Sequence, residues 1–357
     1  MGRRPRQRRG TTPRRRVGAL RRGETVLVAR LNPPFGDPGP YRAPAWLPGA
    51  HAQTIWPALL RRPEVPLRRE DVPTPDGDTW SFDWIDAPAS TDTPVVVLFH
   101  GLEGSSASHY ARALMRAARD RGWRGVVPHF RGCAGEPNAR PRAYHMGDHE
   151  EVGAMLVEVR KRAGPAAPIH AAGVSLGGSA LLNWLGRAGA DAAALVSRAA
   201  AVSSPAYVVP AGRALDRGAN RIYARLFLKT LNPKARALAA RHPEVLDPMQ
   251  MRGYRSMHAF DDAVTAPLHG FDGTLDYWTR ASSRPWLAGI AVPTLIVNAL
   301  NDPFVPPEAL ARPEDVSASV ALERPAHGGH AGFPDDAFPG RPEWLPRRLL
   351  HWFAAAR

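Results

Sequence analysis

The sequence predicts an α/β fold, with a mostly parallel central sheet, helices on both faces and a helical insertion. Three observations carry this. From residue 94 onward, short continuous apolar runs alternate with segments of helical spacing, the pattern of strands buried on both faces. A Gly-x-Ser-x-Gly turn stands between one such run and a helical segment. The alternation stops across residues 205–285 and then resumes, which marks an insertion into one sheet.

Length and composition bound the reading. A chain of 357 residues fits one large domain carrying an insertion. With 44% hydrophobic and 22% charged residues it has the balance of a soluble globular enzyme. No apolar run reaches the roughly 18 residues that span a bilayer. The single cysteine, Cys133, excludes an intramolecular disulfide and a multi-cysteine metal site. That fits a reducing compartment, so a cytoplasmic location is expected. Cys133 itself reads as a small buried hydrophobe rather than a nucleophile.

The formal charge of +14 first suggests a nucleic acid or an anionic membrane as partner. Position weakens that idea. Residues 1–23 hold ten arginines, and setting these ten aside leaves the body only +4. This Arg-rich tail lacks the apolar core of a secretory signal and is expected to be disordered. Polyanion contact by the tail is one reading, and a solvated extension is the plainer one. The folded domain is then expected over 24–357.

The elements follow in order. Residues 24–31 read as a short strand and 51–60 as a short helix. Residues 66–71 and 79–86 alternate as antiparallel strands. Residues 94–99 form the first fully apolar strand, ending at His100-Gly101. Helix 108–120, strand 125–130, helix 148–162, strand 169–174 and helix 176–185 come next. Residues 193–202 read as a strand despite their alanine content. The insertion at 205–285 is helical and rich in Arg, Ala and aromatic residues. Strand 293–299, a short helix at 307–311, strand 317–322 and helix 343–355 complete the chain.

Gly173-Val174-Ser175-Leu176-Gly177 is the chemical centre of the sequence. A serine on a tight strand-to-helix turn needs small neighbours, and such a turn pushes its hydroxyl out at the carboxyl edge of the sheet. A serine hydroxyl is a weak nucleophile, so it needs a base and a carboxylate to orient that base. Asp302 follows the strand 293–299 and is the expected acid. Its rivals Asp261, Asp262, Asp272 and Asp276 all lie in the insertion. His330, in a glycine-rich loop after the last strand, is the expected base, with His327 as rival. His351 belongs to the closing helix, and His100 reads as a loop-fixing residue. The backbone N–H groups of Leu102 and Leu176 are the expected oxyanion donors.

These residues together resemble the YheT-like family of α/β-hydrolases, relatives of ABHD-type lipases and of medium-chain ethyl ester synthases. The resemblance rests on His51-Ala52-Gln53-Thr54, His100-Gly101-Leu102-Glu103-Gly104 and 130–138. It continues through Gly173 to Gly177, Phe260-Asp261-Asp262, Gly270-Phe271, Asp302-Pro303 and Gly328-Gly329-His330. It implies the α/β-hydrolase fold with a helical lid and a triad of Ser175, Asp302 and His330. It also implies hydrolysis of carboxylic esters; the aromatic residues of the insertion point to a small-molecule ester with an apolar acyl chain of short to medium length, and the mechanism needs no metal or organic cofactor. Acyl transfer to an alcohol, and thioester hydrolysis, are the alternatives on the same residues. Family members often have two adjacent acids where this chain has Asn301-Asp302, which leaves Asp302 as the carboxylate of that turn.

Overall fold

The computed structural model describes residues 1–2, 36–60, 64–86, 90–135 and 137–355. The strand expected at 24–31 and nearly all of the 1–23 tail lie outside these residues.

The chain opens with helix α1 (Ala50–Leu59), then strands β1 (Arg68–Pro73) and β2 (Thr79–Ile85). The alternating core follows as β3 (Val95–Phe99), α2 (His109–Asp120), β4 (Arg124–Pro128), α3 (His149–Ala163), β5 (Ile169–Val174), α4 (Leu176–Ala188) and β6 (Arg198–Val202). After the insertion come β7 (Thr294–Val297), β8 (Val320–Glu323) and the closing helix α10 (Trp344–Ala354). The eight strands form one sheet in the order β1-β2-β4-β3-β5-β6-β7-β8. β1, β2 and β4 pair antiparallel, and every other pairing is parallel.

Strand periodicity builds two cores. Val95, Val97 and Phe99 face one side, where they join Val152 and Met155 of α3 and Leu181 and Leu185 of α4. Val96 and Leu98 face the other, against Leu114 and Met115 of α2 and Leu349 and Leu350 of α10. The helices meet the sheet through single stripes. α2 buries Ala111, Leu114, Met115 and Ala118, which is the 3.6-residue repeat of a half-buried helix.

The expected and observed strands differ most at β6, which begins at Arg198 and not at 193. Residues Gly189–Ala194 form a 3-10 helix instead, since alanine favours helical backbone wherever no cross-strand partner is offered. Between β6 and β7 the chain forms helices α5 (Val208–Leu215), α6 (Arg221–Arg241), α7 (Met257–Phe260), α8 (Ala266–His269) and α9 (Thr274–Arg280). This insertion carries its own apolar cluster, including Leu228, Leu231, Leu238, Phe260 and Val264. Leu102, from the loop after β3, packs against that cluster and ties it to the carboxyl edge of the sheet.

Candidate active site

The sharp turn at the end of β5 follows from local sterics. A Cβ at Gly173 would come within 2.6 Å of the Gly177 carbonyl oxygen, and one at Gly177 within 2.4 Å of the His100 carbonyl oxygen. Only glycine lets β5, α4 and the β3 loop approach so closely. Ser175 sits between them with φ 53° and ψ −117°, and its N–H donates to the Val202 carbonyl at 2.8 Å. A positive φ is unusual for serine and marks a backbone held by its surroundings. Glu103, Ser203 and Ala331 also have positive φ, so strained positions gather where the loops after β3, β5, β6 and β8 meet.

His330 and Asp302 come together from the loops after β8 and β7. His330 Nδ1 lies 2.8 Å from Asp302 Oδ2. Asp302 also caps its own turn, because its Oδ1 accepts from the N–H of Phe304 at 2.8 Å. One carboxylate oxygen therefore fixes the turn while the other meets the imidazole. Its side chain is fully buried, which strengthens a charged hydrogen bond of this kind.

A scaffold around this pair is absent from the sequence-based expectations. The Gln53 side-chain oxygen Oε1 accepts from the N–H of Gly328 and from the Asn301 side-chain amide, each at 2.9 Å. Asn301 Oδ1 accepts from the Gly329 N–H at 3.1 Å. Thr54 Oγ1 accepts from the His330 N–H, and Ser203 Oγ from the Ala331 N–H, both at 3.0 Å. The start of α1 thus clamps the histidine loop to the Asp302 turn. The signal available beforehand was the polar pair Gln53-Thr54 at the head of an otherwise apolar helix.

The loop after β3 is held just as fully. The Gly101 N–H donates to the Tyr110 hydroxyl at 2.9 Å, and the Glu103 N–H to the Tyr144 hydroxyl at 2.8 Å. These bonds flank Leu102, whose own N–H is the expected donor. The Glu103 carboxylate accepts from Tyr144 at 2.8 Å and from Lys234 of α6 at 2.7 Å. Burial pushes His100 down to about 3, so its imidazole is neutral at physiological pH. Nε2 accepts from the Phe130 N–H at 3.2 Å, which leaves the Nδ1 proton for the Gly101 carbonyl at 2.8 Å. Leu176 begins α4, and a first-turn N–H has no partner inside its own helix.

Ser175, His330 and Leu102 line one cavity of about 370 Å³. His327 is exposed, so of the two loop histidines only His330 reaches this cavity. Three of the four rival carboxylates are engaged elsewhere: Asp261 with Thr265 and Trp278, Asp262 with Thr274, Asp276 with Arg280. Burial pushes the Cys133 thiol up to about 12, which removes it as a nucleophile near neutral pH.

A sheet of this order, with a serine turn after β5 and an Asp–His pair after β7 and β8, defines a class. The family model described as alpha/beta hydrolase fold matches residues 94–337, and the chain belongs to that family. Within it the chain is a member of the YheT-like family. It is 38% identical over 307 residues to the protein of Escherichia coli (strain K12) provisionally named esterase YheT, covering 85% of this chain and 89% of that one. It is 31% identical over 317 residues to phospholipase ABHD3 of Mus musculus, covering 86% of this chain and 76% of the relative. Among solved structures, 2,6-dihydroxy-pseudo-oxynicotine hydrolase aligns with a TM-score of 0.51 and 14% identity, over 81% of this chain and 67% of that one. At that identity the likeness concerns the fold.

Proposed function

We propose that this chain is a serine hydrolase that cleaves carboxylic esters of short to medium acyl chains, with Ser175 as nucleophile, His330 as base and Asp302 as orienting acid. The observation that carries the reading is the 2.8 Å His330–Asp302 contact, with His330 on the wall of the cavity that holds Ser175. His330 takes the Ser175 proton as Oγ attacks the acyl carbonyl, and Asp302 stabilises the imidazolium that results. Charge then develops on the carbonyl oxygen, and the N–H groups of Leu102 and Leu176 stabilise it. His330 returns the proton to the departing alcohol, and water cleaves the acyl-enzyme by the same steps in reverse. The helical insertion at 205–285 serves as a lid over this site, and the mechanism asks for no metal or organic cofactor.

The names of the relatives, an esterase and a phospholipase, agree with ester chemistry. Covalent labelling with a fluorophosphonate tests the assignment. Wild-type protein should react at Ser175, and Ser175→Ala should lose both the label and at least about 10³-fold in ester turnover. Full labelling of Ser175→Ala would overturn it.

A further inference from the structure

Two chambers with shared lining residues adjoin at the proposed active site. The first, of about 370 Å³, contains Ser175, His330 and Phe304. The second, of about 320 Å³, contains Leu176, Leu231, Leu238 and Val264, and neither Ser175 nor His330. Leu102, Met146, Gly212 and Leu215 line both and form the partition between them. Each chamber is large enough for one substantial group of a ligand.

Tetrahedral geometry then decides which group goes where, on the serine-hydrolase reading above. The carbon under attack carries four substituents: Ser175 Oγ, the oxyanion, the leaving oxygen and the acyl chain. The leaving oxygen must lie within reach of His330 to receive its proton, so the alcohol occupies the first chamber. The oxyanion faces the N–H groups of Leu102 and Leu176, and both residues also border the second chamber. The remaining substituent points away from His330 and has that chamber before it. We infer that the second chamber, roofed by α6 and the 257–268 segment, is the acyl-chain site, and that the first holds the alcohol. Arg131, Arg142, Lys234, Arg241 and Asp261 also border the acyl site, but each is engaged by a protein partner, and the apolar side chains of the insertion supply a wall that suits an unsubstituted hydrocarbon chain. The alcohol chamber includes Ser105, Ser108 and His109, which suit a polar alcohol. Each methylene buried in the acyl site should raise kcat/KM by up to about fourfold until the chamber is full.

The test uses the intact wild-type chain. A dodecyl fluorophosphonate with a diazirine at the far end of its chain is reacted at Ser175, irradiated and mapped by peptide sequencing. Crosslinks are expected within 231–241 and 257–268. Crosslinks at 105–109 or at Phe304 would reverse the assignment while leaving the nucleophile intact. Absence of any Ser175 adduct would overturn the hydrolase reading and this inference with it. As a second measurement, Val264→Trp should lower the octanoyl-to-acetyl ratio of kcat/KM at least tenfold. Its ranking of methyl against glyceryl esters of one acid should stay as in wild type. A variant that reordered the alcohols and kept the acyl ratio would place the chain in the other chamber.

Discussion

His330 and His327 share one glycine-rich loop, and chain order alone does not separate them. The fold separates them by what their backbones touch. The His330 N–H is fixed by Thr54 and its ring by Asp302, whereas His327 stands in solvent. His330→Ala should therefore lose at least about 10³-fold in ester kcat, while His327→Ala keeps turnover within about threefold. Steady-state kinetics of the two variants check this, and the reverse ranking would transfer the role of base to His327. Gln53 makes a subtler case. Gln53→Ala removes one acceptor from two buried donors, at Gly328 and Asn301, and should cost about 1–3 kcal/mol in urea unfolding. Because the lost bonds orient the histidine loop, kcat should fall by more than KM rises. Unchanged kinetics in a destabilised variant would confine Gln53 to a role in folding. Ser175, Asp302 and His330, the residues of the proposed triad, stood out in the sequence because each lies in a distinctive local pattern. The supporting roles of Gln53, Tyr110 and Tyr144 did not, because a side chain's hydrogen bond to a distant backbone N–H is not written in its local sequence, and Gln53 showed only as a polar residue in a mostly apolar helix.

At the scale of elements, the insertion contains a buried carboxyl that couples its stability to pH. Burial pushes the Asp261 carboxyl up to about 7, against the hydrogen bonds it accepts from Thr265 and Trp278. A carboxyl raised in the folded state adds stability in full below its unfolded value. That stability is lost as pH rises through about 7. Burial raises Asp148, at the head of α3, in the same sense and also to about 7. These two carboxyls make the protein easier to unfold as pH rises towards 8, while His100, His170 and His269, held neutral by burial, act in the opposite sense below about pH 6.5. Asp261→Asn should remove a falling contribution of up to one proton, about 1.4 kcal/mol per pH unit, so its slope between pH 5 and 7 should be more positive than that of the wild type. Urea midpoints at four pH values check this, and equal slopes in both proteins would show that Asp261 does not titrate there. The regular elements were read correctly where periodicity was strong, as in α2 and β3. The misplaced start of β6 arose where alanine offered no pattern at all.

For the whole molecule, charge and fold are separable. The ten arginines of residues 1–23 account for most of the +14, so the body should be a weak polyanion binder. Removing residues 1–23 should abolish salt-sensitive binding to short duplex DNA while leaving hydrolysis of a water-soluble ester unchanged. Retention measured from 50 to 200 mM salt checks this, and persistent binding would assign the basic surface to the body. The sheet order itself was not written in the sequence. Alternation says that a parallel sheet forms, but strand neighbours depend on crossovers between distant segments. Ser175 is held at φ 53°, a conformation that costs a residue with a side chain about 1–3 kcal/mol. The surrounding sheet supplies that energy, and glycine would need none of it. Stability alone would favour glycine here, so a serine is a debt that the rest of the fold carries, and the proposed reactivity is what would repay it.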